Sequence, residues 1–373
     1  MKTHIASRLS MMVLALAAAV AVVGCSGPGE EAGKPVSLMA PDAKAKPTLL
    51  LSLPDSCNTP DGMTLDSKTG DIYLSCPNFN DDKFPGIIMK IDKANKATKF
   101  FDMPLHPDTK KAGPMGLDIG PDGNLYVADN QYFSDKNYKS RLVRITIKDG
   151  QAVGADVVVD GFKLCNAVIW KGNDVYVSDT FFDLADKPGA SGIYRISLDE
   201  MNKGTVQLLP EAKDPHLIAQ FQTEPLEHRK GELAGADGLT FDSKGNLYTG
   251  NFGNGVFSKI TFDAQGKVVS NEVFVKSPKM TCVDGIFCDL KTDKIYVADS
   301  EKNAIQVVSP DGTLTTLWEN DDTDGADGLL DQPCEVVIRG NDMIIVNFDM
   351  PFPGLKNTKF DEHHTLSVIR MGE

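Results

Sequence analysis

One unit of about fifty residues occurs six times along the chain, and a chain that repeats a supersecondary unit at such a period can fold only as an array or a closed ring of those units. Each copy reads as a strand of the type small-acid-glycine-apolar-x-apolar, a tight turn, and a second strand ending in Tyr-Val-Ala-Asp or a variant of it. The copies begin at Asp61 (PDGMTLDSKTGDIYLSC), Met115 (PMGLDIGPDGNLYVADN), Asn166 (CNAVIWKGNDVYVSDT), Asp237 (ADGLTFDSKGNLYTGN), Asp284 (VDGIFCDLKTDKIYVADS) and Glu335 (CEVVIRGNDMIIVNFD). Their spacings are 54, 51, 71, 47 and 51 residues, too even for unrelated hairpins.

An alternating third strand follows each pair, over 86–92, 141–147, 192–197 and 256–262, and a weaker fourth comes next, as over 97–101 and 313–318. Four antiparallel strands per unit, with Gly/Asp/Asn turns and no sustained helical period, make a propeller blade, so the expected fold is all-β, a six-bladed β-propeller. After the last third strand, Thr365 to Met371, only Gly372 and Glu373 remain. Thr48–Leu53 precedes blade one and has no other partner. It is expected to supply the outer strand of blade six, closing the ring and covering an open edge. Residues 48–373 then form one domain.

Turns between strands one and two are short, as at Pro121 to Asn124 and Lys171 to Asn173. The long connections, 77–85, 102–114, 129–140, 179–191, 209–236, 319–334 and 347–364, all emerge on the face where the first strands begin. A binding site belongs on that elaborated face. Its loops carry Phe79, Phe84, Tyr132, Phe133, Tyr138, Phe181, Phe182, Phe348, Phe352 and Phe360, with His106, His216, His228, His363 and His364. These side chains either wall a pocket for a small organic molecule or pack the loops onto the blades.

The N-terminus has the parts of an export signal: Lys2 and Arg8, then an apolar run from Met11 to Val23, too short to span a bilayer as a helix. It ends in Val22-Val23-Gly24-Cys25, which resembles the lipobox of bacterial lipoproteins. The resemblance implies cleavage after residue 24, acylation of Cys25, and a place in the bacterial cell envelope, on the periplasmic face of the outer membrane or the cell surface. Residues 25–47, rich in Gly, Pro, Ala, Lys and Glu, read as a flexible tether. Export permits disulfides among the remaining cysteines, Cys57, Cys76, Cys165, Cys282, Cys288 and Cys334, and Cys57–Cys76 is the expected pair, because the hairpin turn brings Cys76 opposite Asp61. No Cys-x-x-Cys occurs, so a zinc ribbon or thioredoxin-type site has no support. The formal charge of −14 opposes phosphate backbones, and nucleic acid is excluded as a partner. The chain is read as a monomer.

The first residue of each repeat stands at the start of the innermost strand, beside the central channel: Asp61, Met115, Asn166, Asp237, Asp284 and Glu335. Asp-Gly is also turn chemistry, as at Asp122-Gly123, but Asn166 and Glu335 hold the same place without a following glycine. Two carboxylates about 5 Å apart repel by about 3 kcal/mol at an effective dielectric of 20, so ionised ring acids require a cation or a raised pKa. Oxygen ligands favour a hard divalent ion, calcium first, with magnesium, manganese or zinc behind it. The expected metal ligands are Glu335, Asn166, Asp237, Asp61 and Asp284.

With these spacings the sequence resembles the SMP-30/gluconolactonase/LRE-like propellers, a family of lactonases and related esterases. There a divalent metal is held by Glu, Asn, Asn and Asp from blades at relative positions zero, two, three and four. Counted from Glu335 through the closure, Glu335, Asn166 and Asp237 match in identity and order, while Met115 stands at position two. The resemblance implies hydrolysis of a lactone or ester, with Asp237 as general base. Asp-Gly segments such as Gly325 to Gly328 also resemble NHL-repeat propellers, which implies the alternative of a non-catalytic ligand- or protein-binding ring with a structural metal. No Gly-x-Ser-x-Gly or His-Glu-x-x-His segment offers another hydrolytic mechanism.

A second acidic run, Asn320 to Gly325 with Asp331, has oxygens at positions 1, 3, 5 and 12 and glycine at 6 of a calcium loop. Asp327 at position 8 and the lack of flanking helices favour a solvated loop there over the alternative of a second calcium site.

Overall fold

The structure, a computed structural model, describes residues 46–371 apart from positions 82, 183 and 185. The leader, Cys25 and nearly all of the tether lie outside the described residues.

Six sheets form the ring, each with its first strand innermost and successive strands stepping outward. Blade one is built from Met63–Leu65, Ile72–Cys76, Ile87–Ile91 and Ala97–Asp102, all antiparallel. Blades two, four and five repeat that order. The last sheet comprises Pro333–Arg339, Asp342–Asn347 and Thr365–Arg370, and the strand Thr48–Ser52 completes it, with Thr48 opposite Val368 and Ser52 opposite Thr365. The expected closure therefore holds, and it joins the two ends of the ring through backbone hydrogen bonds.

Strands two and three are covered on both faces, which is why their sequences run as nearly continuous apolar stretches: every residue of Ile72–Cys76 and of Leu125–Asp129 is buried. The outermost strands alternate in exposure, as Ala97–Asp102 and Leu314–Glu319 do. The core lies between blades rather than inside any one of them. Tyr73 and Ile88 of blade one pack with Leu117, Leu125 and Val127 of blade two, and Tyr296 and Ile305 of blade five with Val336 and Ile345 of blade six. A sheet with two apolar faces finds partners only by sitting between two neighbours, and a closed ring satisfies all six blades at once.

Blade three departs from the simple reading. Its outer strand, Leu217–Gln222, lies inside the segment expected to be a connection, 209–236. A short helix, Leu198–Met201, follows the third strand with a Ser197/Glu200 capping box, and Val206–Gln207 crosses over to pair in parallel with the long outer strand of blade two, Gln151–Phe162. These insertions separate strands that elsewhere follow one another through a tight turn, so hairpin spacing did not reveal the fourth strand.

Cys57 and Cys76 are joined, as expected, with Cα atoms 5.3 Å apart. Cys165, Cys282, Cys288 and Cys334 are buried free thiols. The bridge spans 19 residues, for which the chain-entropy relation gives about 3 kcal/mol. Cys57→Ala with Cys76→Ala should lower the urea unfolding free energy by about that amount. Added reductant should weaken the wild-type protein and leave the double variant unchanged.

Candidate metal centre and ligand cavity

At the mouth of the channel each innermost strand begins irregularly, and this aims the ring side chains. The register slips between Pro114 and Leu117, Cys165 and Val168, Ala236 and Leu239, and Pro333 and Glu335. A bulge of this kind bends the strand and redirects a side chain, here at Met115, Asn166, Asp237 and Glu335. In blades one and five the ring residue precedes the strand instead. The Asp61 N–H donates to the Ser75 carbonyl (3.0 Å) and the Asp284 N–H to the Ala298 carbonyl (3.0 Å).

The glycine that follows a ring acid has a spatial reason beyond turn formation. A Cβ on Gly238 would lie 2.3 Å from the Asp284 carbonyl oxygen, and one on Gly285 would lie 2.4 Å from the Cys334 carbonyl oxygen and 2.5 Å from Glu335 Oε1. Only glycine lets neighbouring blades close to backbone contact around the channel.

In blades two, three and six the acid or amide that ends the second strand holds the chain just upstream of the ring residue from behind. Asp129 Oδ1 accepts the Gly113 N–H (2.7 Å), the Asp179 carboxylate accepts those of Lys163 and Leu164 (2.9 and 2.7 Å), and Asn347 Oδ1 accepts that of Asp331 (3.1 Å). Each donor lies just upstream of Met115, Asn166 or Glu335. The recurrent Tyr-Val-Ala-Asp motif signalled these residues in the sequence, but not their task.

Asp61, Met115, Asn166, Asp237 and Asp284 line one cavity of about 270 Å³ on the elaborated face. Tyr132, Phe133, Phe181, Phe348 and Phe352 wall it, as the aromatic loops suggested, joined by Phe252, Asn130, Thr180, Glu232 and Gln332, which sequence reasoning missed. Tyr132 stacks on Phe181 with ring centroids 4.9 Å apart, and Phe133 meets Phe79 edge-on at 5.0 Å. Phe182 packs instead against Tyr194, and Phe360 against His364. No histidine is among the residues lining the cavity: His106 Nδ1 accepts the Asp108 N–H, and His228 pairs with Glu301 at 2.7 Å.

Glu335 differs from its fellows. It borders the wider opening of about 780 Å³ on the opposite face, among the aliphatic flanks of the inner strands such as Met63, Leu117, Leu239 and Val337, and its Oε1 accepts the Val336 N–H (2.9 Å). That opening is the larger, yet no aromatic loops overhang it and, of the ring acids, only Glu335 borders it. The cavity on the elaborated face is therefore the candidate site.

Burial raises the carboxyl pKa of Asp61, Asp237 and Glu335 well above the ordinary range, and charge repulsion within the ring adds to it: Asp284 acts on all three, and Asp61 on Asp237 and Glu335. Asp284 is raised by burial, with hydrogen bonds from Ser300 and Gly285 opposing the shift. None of the ring acids has an ion-pair partner among the described residues. The Asp237 carboxylate also has no hydrogen-bond donor among them. Four acids and a carboxamide with no basic neighbour in contact match a hard cation by charge and by donor type, while no three of the ring acids bring carboxylate oxygens within 4.8 Å of one another. Met115 contributes only a thioether at its place in the ring.

The fold is shared with known proteins. The structure is similar to a luciferin-regenerating enzyme (TM-score 0.60, 14% identity, 87% of this chain and 95% of that one). It is similar to a gluconolactonase from Xanthomonas campestris (TM-score 0.53, 14% identity, 88% and 95% covered) and to the calcium-binding protein regucalcin from Agrobacterium tumefaciens (TM-score 0.55, 13% identity, 86% and 92% covered). No family model and no curated protein matches the sequence itself. The chain thus has the fold of the SMP-30/gluconolactonase/LRE-like propellers, and at such identities the likeness speaks for the fold alone.

Proposed function

We propose that the protein is a metal-dependent hydrolase of a small lactone or ester. The observation that carries this is the cavity itself, whose floor is lined by Asp61, Asn166, Asp237 and Asp284 under a wall of aromatic rings. Asn166 and Asp237 would hold the ion, with Asp61 and Asp284 as further oxygens and Glu335 joining them once its carboxylate turns from the other opening, and calcium is the first candidate. A bound divalent ion supplies Lewis-acid polarisation of a carbonyl.

The chain's own residues supply the rest. Tyr132, Phe181 and Phe352 would sandwich the apolar part of a substrate and exclude water. Asp237 would take the proton of an attacking water, since its carboxylate has no hydrogen-bond donor among the described residues and lines the cavity floor. Asn130, whose Oδ1 accepts the Tyr132 N–H, offers a buried amide Nδ2 without a partner beside the cavity.

A second reading rests on Met115 in the floor and on Glu335 facing the other opening, both of which suit a ring that binds a ligand without turning it over. A panel of lactones and esters, assayed with and without chelator, separates the two. The hydrolase reading expects turnover that chelation removes and that Asp237→Asn lowers by about 10²–10⁴-fold. Asp237→Asn should leave metal-free stability equal or higher, because it removes a repelling charge. Absence of divalent binding at millimolar calcium or manganese, together with no turnover across the panel, would end the hydrolase reading.

The lipobox-like segment ending at Cys25 supports attachment of this domain to a bacterial envelope membrane. Cys25→Ala should move the protein from the detergent phase to the aqueous phase on partitioning, and an unchanged distribution would count against an anchor.

A further inference from the structure

On blade six, away from the ring, three carboxylates meet. Asp331 ends the linker into the blade's first strand, whereas Asp349 and Asp361 belong to the loop after its second. Oxygens of all three lie within 4.8 Å of one another, which among the described residues is true of no other group of three acids, cysteines or histidines. Asp331 and Asp349 are each 1% exposed.

Asp331 is the telling member. Neither of its carboxylate oxygens has a hydrogen-bond partner among the described residues, although both are buried. Asp349 is held in place, with Oδ1 accepting from Asn357 Nδ2 (3.1 Å) and Oδ2 from the Asp361 N–H (2.9 Å). No lysine, arginine or histidine pairs with any of the three among the described residues. Asp322 and Asp324 add further negative charge around Asp331. A buried carboxylate with two bare oxygens is costly unless something positive sits against it. Burial and the surrounding acids push Asp331 up to about 9 and Asp349 to about 7.

We propose that Asp331, Asp349 and Asp361 form a second divalent-cation site, suited to calcium, that fastens the 347–364 loop to the 319–334 linker. The donors are all oxygen, three carboxylates from two long connections, which suits calcium better than the stricter octahedral geometry of magnesium. The calcium-loop pattern legible in 320–331 is not the one used. Asn320 spends its side chain on the Leu330 backbone and Trp318, Asp322 accepts the Thr358 hydroxyl (2.6 Å), and Asp324 accepts the Ala326 N–H (3.1 Å). Only Asp331, position 12 of that pattern, enters the cluster.

The place of the cluster gives it a consequence. Asp331 adjoins Gln332 and Asp349 adjoins Phe348, and both neighbours line the ligand cavity. Gln332 in turn accepts the Phe348 N–H on its carbonyl (2.9 Å) and the Met350 N–H on its side chain (2.5 Å). An ion at the three acids therefore braces one wall of the cavity from behind.

Calcium titration of the full chain by calorimetry tests this. Asp331→Asn with Asp349→Asn should delete one bound equivalent, or weaken it by more than the roughly 10–100-fold that losing an outer-shell partner costs. Asp237→Asn should leave that equivalent in place, so the outcome does not depend on whether the ring binds metal. The paired variant should fold at least as well without calcium, since it loses two repelling charges. A second readout is limited proteolysis within 350–363, where calcium should protect the wild type and not the paired variant. Unchanged stoichiometry and affinity in the paired variant, or no calcium equivalent retained by Asp237→Asn, would overturn the proposal.

Discussion

Gly328→Ala should destabilise the protein by about 3–5 kcal/mol, on the scale of large core disruptions, because it strikes the ring at its closure. Gly328 sits at φ +85° in the linker that passes over the N-terminal strand, and a Cβ there would lie 1.8 Å from the Leu49 nitrogen and 2.1 Å from the Thr48 carbonyl carbon. Those atoms belong to the backbone that pairs with Thr365–Arg370, so they can yield only by moving the closing strand. Left-handed strain in a non-glycine residue accounts for about 1–2 kcal/mol, and displacement of the strand for the rest. Gly340→Ala separates the two terms. Gly340 has φ +65° but nothing within 4 Å of the added carbon, so its variant should lose the strain alone. Urea unfolding of both proteins, with proteolysis at the N-terminal strand, reads the difference. Equal losses would show that the closure tolerates the contact.

Arg141→Met should cost about 3–5 kcal/mol, since it strands a buried carboxylate. Arg141 Nε donates to Asp129 Oδ2 at 2.7 Å, with the two residues 5% and 0% exposed, and Nη2 reaches the Pro104 carbonyl (2.6 Å). Burial raises the Asp129 carboxyl pKa even in the intact protein, and Arg141 is the foremost influence opposing that shift. Without the guanidinium the folded-state pKa must rise further. A carboxyl whose pKa is higher folded than unfolded binds more protons in the folded state, so stability falls as pH rises through that range. The Arg141→Met deficit should therefore be larger at pH 8 than at pH 5. Asp129→Asn combined with Arg141→Met should lose less than Arg141→Met alone, because it removes the orphaned charge. A deficit independent of pH, with no recovery in the double variant, would assign the cost to lost packing.

Loss of this pair would also reach the site. Asp129 holds the Gly113 N–H two residues before Met115, and Gln131 Nε2 donates to the same carboxylate (2.9 Å). The buried polar network behind blade two thus connects stability to the aim of its ring residue.

What the sequence by itself determined is local and periodic. Alternation of apolar residues, Gly/Asp turns and the repeat length were enough to define six blades, to put Asp61, Asn166, Asp237 and Asp284 at equivalent positions beside the channel, and to leave Thr48–Leu53 with one free edge to occupy. The Cys57–Cys76 bridge was legible for the same reason, since a hairpin register sets which residues stand opposite each other. Tertiary structure decided everything that depends on loops meeting across blades. The outer strand of blade three was hidden by an inserted helix and crossing strand. Glu335 shares the ring's charge yet borders the other opening, where its Oε1 accepts the Val336 N–H. Asp331 meets Asp349 and Asp361 only because two long connections fold over the same blade edge. Strand positions follow from backbone pairing with a period of two, whereas a loop side chain is placed by contacts with residues far away in the chain, and no local pattern records those.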